Sequence, residues 1–164
     1  MPTHNVVAGK MQPAGNKKIL LVHPLGYSAK SAGQDISRVA NIMPPLGLAS
    51  ISAYLTSHGL DNDIIDCYAH PDSDDRIVAY LQDEKPPFIG FSCTTSSFFD
   101  GERLAGLAKS TLPGIQVVFG GVHVSAMQEK VLDTYPGIDF VVVGEGEETL
   151  RELLATPADR RAEV

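Results

Sequence analysis

The sequence predicts a doubly wound α/β domain around a five-stranded parallel sheet of the flavodoxin-like type. Three observations carry that expectation. Four short apolar runs rich in β-branched or aromatic residues lie at 18–23, 88–92, 115–119 and 138–143, with a weaker one at 60–67. Continuous rather than alternating apolar character marks strands covered on both faces. Each run is followed by apolar residues at helical spacing, and alternation of strands with helices implies a parallel sheet.

The first run, Lys18-Ile19-Leu20-Leu21-Val22-His23, stops at Pro24. A long connection from Leu25 to Met43 has no clear period, and loops of that length are usually functional or disordered. Pro44-Pro45 suit the first turn of a helix with apolar positions Leu46, Leu48, Ala49, Ile51 and Leu55, and Gly59 suits its C′ position. Leu60–Cys67 reads as a second strand near an edge. Ser73 is the expected cap of a helix carrying Ile77, Tyr80 and Leu81, which ends before Pro86-Pro87. After the third strand, Phe98, Phe99, Leu104, Leu107 and Ala108 give the next helix its apolar positions. The fourth strand is 115–119 and a single helix is expected from Val124 to Tyr135. The fifth strand is 138–143. The acidic stretch Gly144-Glu145-Gly146-Glu147-Glu148 then leads into a last helix from Thr149 to Leu154, its acids complementing the helix dipole. Residues 1–17 read as a mobile tail, 18–154 as the domain, and 155–164 as a fraying tail or the start of a linker.

A chain of 164 residues has room for one domain with a sizeable core. Its net charge of -7 and pI near 5.1 argue against nucleic acid or an anionic membrane as partner. Two cysteines, Cys67 and Cys93, form neither a disulfide framework nor a CxxC pair, which fits a reducing cytoplasm. No signal-peptide core opens the chain, and no run approaches the ~18 apolar residues of a membrane span.

Right-handed crossovers bring all strand C-termini to one rim, where ligands of open α/β sheets bind. His23, Asp66, Ser92–Ser97, Gly120–His123 and Gly144–Glu147 are therefore expected to line one crevice. A receiver domain needs an acceptor aspartate where this chain has Ser92-Cys93-Thr94. A flavodoxin needs a phosphate loop directly after the first strand, where Pro24-Leu25-Gly26-Tyr27 stands instead. A dinucleotide fold needs GxGxxG after its first strand; the only near match, Gly144-Glu145-Gly146, follows the fifth and carries acids where phosphate would sit.

Ser92-Cys93-Thr94 and, one strand later, Gly120-Gly121 resemble the SxL…GG signature of cobalamin-binding domains. Pro44-Pro45-Leu46-Gly47-Leu48, Gly120-Gly121-Val122-His123-Val124-Ser125 and Gly144-Glu145-Gly146-Glu147 resemble more narrowly the N-terminal cobalamin-binding domain of cobalamin-dependent radical SAM enzymes. The resemblance implies that Ser92 hydrogen-bonds the dimethylbenzimidazole of the cofactor's nucleotide tail. Thr94, standing where leucine is usual, would form part of the pocket wall. Gly120 and Gly121 would let the tail pass close to the backbone. Val122, His123 and Ser125 would lie beside the tail or the corrin edge, and Gly144, Glu145 and Gly146 would close the far side. Cys93 is either a cofactor neighbour or a small buried hydrophobe. His123 is either a cofactor contact or a helix-start residue, and Glu145 either a solvated acid or a contact to a corrin amide.

One departure is large. Cobalamin domains of the methionine-synthase type carry DxHxxG after the first strand, and its histidine ligates cobalt from below. With the glycine aligned on Gly47, this chain has Ile42-Met43-Pro44-Pro45-Leu46-Gly47, with neither acid nor histidine. The expectation is base-off cobalamin over an apolar lower face offered by Ile42, Met43 and Leu46, with Gly47 a further cofactor contact and His23 the first other axial ligand to test. CxxxCxxC is also absent, so the [4Fe-4S] cluster and S-adenosylmethionine of such enzymes would be held by a radical SAM domain elsewhere. The chain would then be either an excised N-terminal domain or a carrier for a separate catalytic chain. A flavin-binding or small-molecule sensor module without methyl chemistry is the rival from another class.

Overall fold

The computed structural model describes residues 18–26, 44–70 and 72–163. The expected Ile42 and Met43 contacts and the 1–17 tail lie outside them. Five strands form one all-parallel sheet: β1 Ile19–His23, β2 Asn62–Asp66, β3 Phe88–Ser92, β4 Gln116–Gly120 and β5 Phe140–Val141. Their order is β2-β1-β3-β4-β5, so the polar second run does sit at an edge and the most apolar runs hold the centre. Helices α1 Leu46–Ser57, α2 Ser73–Glu84, α3 Phe98–Thr111, α4 Val122–Met127, α5 Lys130–Thr134 and α6 Gly146–Ala155 complete the layers.

Alternate strand residues feed two cores. Leu20, Val22, Ile89, Phe91, Val117 and Phe119 pack with Ile77, Leu81, Phe98, Leu104 and Val124, so α2, α3 and α4 cover one face. Ile19, Leu21, Phe88 and Val118 pack with Leu48, Leu55, Leu150, Leu153 and Leu154, so α1 and α6 cover the other. Among the described residues no helix is long and apolar enough to cross a membrane.

Gly59 fulfils its expected role at the end of α1. At φ 72 its N–H donates to Thr56 and that of Leu60 to Leu55, the two bonds of a left-handed helix stop. Other boundaries differ from expectation. Asp72, not Ser73, stands at the cap of α2, and Ser73 is the buried first helical residue. Phe99, counted among the apolar positions of α3, is 70% exposed. The single helix expected at 124–135 is two short helices, because Gln128 takes a left-handed φ of 52 between them. No helix-breaking residue type marks that bend.

β5 spans two residues rather than six because Asp139 intervenes: its backbone N–H donates to the Val117 carbonyl, while its carboxylate accepts the Val117 N–H at 2.7 Å in place of a ladder carbonyl. Helix α6 starts one turn early, at Gly146, with Glu147 and Glu148 in its first turn. The tail expected to fray forms a 3-10 helix, Ala158–Glu163, and Arg161 lies 4.7 Å over the Phe88 ring and donates to Gln116.

Candidate functional site

At the C-terminal rim the α1/α6 face opens into a cleft of about 210 Å³. Its floor is the sheet. Leu21, Gly90, Ser92, Val118 and Gly120 all face it, because register pairs Leu21 with Gly90, Gly90 with Val118 and Ser92 with Gly120. Its walls are Gly47, Leu48 and Ile51 of α1 and residues 144–147 and Leu150 at the start of α6. Val142 closes the end beside Gly120.

The glycines keep this space open in different ways. A Cβ on Gly120 would meet nothing closer than Val142, at 3.7–3.8 Å, so the fold itself has room for a side chain there. A Cβ on Gly47 would meet nothing within 4 Å. Gly90 is tighter, 3.2 Å from the flexible ends of Ile19 and Leu21. A glycine inside a strand often marks a close approach by a ligand. Gly121 is another matter: at φ 95 its Cβ would lie 2.6 Å from the Cys93 carbonyl oxygen and 2.8 Å from the Cys93 nitrogen. The chain's own backbone therefore fills the space ascribed to a ligand at this position, although Gly121 borders the cleft.

The structure brings together Gly47, Ser92, Gly120, Gly121, Gly144, Glu145 and Gly146. It leaves out several neighbours in sequence. Cys93 points to the opposite face, where it is buried in the α3 core with its Sγ 2.9 Å from where a Cβ on Gly101 would sit. Burial pushes its thiol up to about 12, and Cys67 is raised equally for the same reason. Thr94 does not line the cleft; its N–H donates to Ser97 Oγ and its hydroxyl bonds Ser96 and Ser97 within the β3–α3 turn. The His123 ring packs 4.5 Å from Phe98, and its Nδ1 pairs with Thr95 Oγ1 at 3.2 Å. Ser125 Oγ accepts the Gly144 N–H at 3.0 Å and so ties the β5–α6 turn to α4. Leu46 and Val122 stand 70% and 69% exposed.

His23 and Asp66, expected in the crevice, instead bond each other, Nδ1 to Oδ1 at 3.1 Å, while Asp66 also accepts the Tyr68 N–H. They secure the strand ends together with the start of the long connection. The Leu25 N–H donates to Asp100, and the Gly26 N–H to the Tyr68 hydroxyl at 2.6 Å. Among the described residues no cluster of three or more His, Cys, Asp and Glu side chains is placed to hold a metal ion.

Several lining residues were not singled out from sequence. Leu21, Ile51, Val118, Val142 and Leu150 carry only an apolar signal, indistinguishable from core until the face is known. Gly90 did carry a signal, a glycine in the middle of an otherwise bulky buried strand. Among the described residues the cleft is thus an apolar slot with one hydroxyl, Ser92, on its floor and two carboxylates, Glu145 and Glu147, at its edge. It suits the insertion of a slender, mostly apolar group carrying few hydrogen-bonding atoms.

Comparison with known proteins identifies relatives of this chain. A B12 binding domain family model matches residues 35–154. The chain is 31% identical over 138 residues to the anaerobic magnesium-protoporphyrin IX monomethyl ester cyclase of Rubrivivax gelatinosus, covering 84% of this chain and 24% of that protein. It is 37% identical over 138 residues to an uncharacterized methyltransferase of Pyrococcus horikoshii, covering 84% of this chain and 28% of that protein. Similarity to the cobalamin-dependent radical SAM methyltransferase TokK of Streptomyces tokunonensis is 36% identity over 72 residues, 44% of this chain and 11% of that protein. The chain therefore spans about a quarter of the length of the first two relatives. The parallel sheet of order 2-1-3-4-5, the glycine-floored cleft at its rim and the match over most of the chain lead to one conclusion: this protein belongs to the B12-binding domain family.

Proposed function

We propose that this chain binds cobalamin base-off, takes the nucleotide tail into the cleft over Gly120, and presents the corrinoid to a radical SAM catalytic domain in the same or a separate chain. The observation that carries this reading is the missing side chain at Gly120. The fold would accept a Cβ there in ordinary contact with Val142, yet the position is bare and faces the slot. A volume of about 210 Å³ is below the ~300–1,000 Å³ of pockets that swallow a whole drug-sized ligand. It suits one arm of a larger molecule whose body rests on the rim.

Within the slot, Ser92 would hydrogen-bond the heterocycle of the tail. Leu21, Ile51, Val118, Val142 and Leu150 would shed water from its faces, each contributing in proportion to the apolar area covered. Gly47 at the mouth leaves α1 flat where a bulky group must cross it. Among the described residues that line the cleft none is a histidine. His123 and His23 are engaged elsewhere, on Phe98 and Thr95 and on Asp66 respectively. This favours a tail displaced from cobalt without a protein imidazole taking its place. When bound, the cofactor would supply methyl transfer or a related radical reaction, and the chain would supply binding and orientation. The [4Fe-4S] cluster and S-adenosylmethionine would belong to the catalytic domain.

The test is selective retention. The chain is incubated with hydroxocobalamin and, separately, with FMN, then desalted and its absorbance measured. About one equivalent of corrinoid and no flavin is expected. Retention of FMN alone would replace this reading with a flavin module.

A further inference from the structure

The two walls of the cleft are joined along their outer edge. Ser50 Oγ of α1 donates to Glu147 Oε1 of α6 at 2.8 Å, and one turn later the Tyr54 hydroxyl donates to Glu148 Oε2 at 2.5 Å. Spacing of four residues puts Ser50 and Tyr54 on one side of α1. Arg151 holds the Glu148 carboxylate from its own helix, Nε to Oε2 at 2.9 Å and Nη2 to Oε1 at 2.6 Å. Beneath these bonds the helices touch, since a Cβ on Gly146 would lie 3.1 Å from Ile51 Cδ1. Glu147, Gly146 and Ile51 all line the cleft, so the seam is also its edge.

The polar groups of the seam are exposed, and water would satisfy each of them if the bonds opened. Deep apolar contacts, among Leu48, Leu55, Leu150, Leu153 and Leu154, already hold both helices to the sheet. Both helices therefore stay docked on the sheet without the outer bonds. They span the two helices along the edge where the slot is open. The Arg151 guanidinium, and after it the Tyr54 hydroxyl, hold the Glu148 carboxyl down at about 2, so the seam keeps its charge at ordinary pH.

We propose that Ser50 and Tyr54, with their partners Glu147 and Glu148, form a clasp between α1 and α6 that sets the width of the cleft and gates entry and release of the ligand's arm. This rests on the cleft being the cobalamin-tail site. The four are positioning residues: with the clasp shut the slot grips the arm, and with it open α1 and α6 part enough for the arm to slide.

Stopped-flow uptake and release of hydroxocobalamin by the full chain tests this. In Ser50→Ala/Tyr54→Phe both rates are expected to rise at least about fivefold, the factor for one lost hydrogen bond, with a smaller change in their ratio. The apo melting temperature should stay within about 3 °C, as for exposed polar bonds. Ser50→Thr keeps the hydroxyl and should keep wild-type rates. Unchanged rates in the double variant, or slower uptake together with a lower melting temperature, would overturn the clasp while leaving the cleft assignment intact. No corrinoid uptake by the wild-type chain would overturn both.

Discussion

Gly120 and Gly121 are adjacent in sequence and do opposite things. Gly120 sits at the end of β4 with free space beyond its Cα, whereas Gly121 is pressed against the Cys93 backbone in a conformation nearly exclusive to glycine. Gly120→Val should therefore fold with stability within about 1 kcal/mol of wild type, since a β-branched residue suits a strand, yet retain at least tenfold less corrinoid. Gly121→Ala should cost about 3 kcal/mol in chemical denaturation, from strain and clash together, whether or not cobalamin is present. Equal loss of binding at equal stability in both variants would contradict this division. The Gly-Gly pair was legible in sequence as a landmark; which glycine has free space beside it depends on where the Cys93 backbone runs, and that is a tertiary fact. Cys93 itself teaches the same lesson. It lies between Ser92 and Thr94 in the motif, but strand alternation turns it into the opposite core. With both thiols pushed up to about 12, neither Cys67 nor Cys93 should react with a disulfide reagent at pH 8 until the protein is unfolded, when two equivalents should appear.

At the scale of elements, continuous apolar runs gave away the central strands, and Gly59 gave away the end of α1. The elements that differ from expectation are those decided by a single residue. Asp139 shortens β5 by replacing a ladder carbonyl with its own carboxylate, and Gln128 divides α4 from α5 with a left-handed turn that its residue type does not announce. The 3-10 helix 158–163 reads in sequence as a fraying tail because its residues are polar; Arg161 anchors it through the Phe88 ring, Gln116 and the Thr156 carbonyl. Arg161→Ala should lower stability by about 1 kcal/mol, a fall of roughly 2–4 °C in Tm, with corrinoid binding unaffected because Phe88 lies at the far end of β3 from the rim. The α1–α6 seam carries its own pH dependence. The folded-state pKa of Glu148 is depressed from 4.5 to about 2, so its stabilising contribution is complete above about pH 4.5 and is lost as pH falls through 2. Acid-unfolding curves of wild type and Glu148→Gln should differ above pH 4.5 and converge toward pH 2.

For the whole molecule, strand order explains why distant phrases of sequence meet. With β1 and β3 adjacent and β4 next to β3, the loops after β3, β4 and β5 and the start of α1 gather at one rim, as in open α/β sheets generally. That convergence was legible from the alternation of elements, and the resemblance of the strand-end motifs to cobalamin-binding domains pointed to the kind of ligand. The side of the rim was not. His23, Asp66, Thr94 and His123 share the rim, but their side chains are taken up in bonds that secure loops and helix starts, and among the described residues the slot is lined mostly by glycines and aliphatic residues, with Ser92 on its floor and Glu145 and Glu147 at its edge. The lack of histidine among the described residues of the slot has a direct spectroscopic consequence. The ultraviolet-visible spectrum of corrinoid bound to the purified chain should be that of base-off cobalamin, unchanged when His23 is replaced by alanine. A base-on spectrum would mean that the nucleotide tail is still on cobalt and outside the cleft, and would contradict the account at its centre.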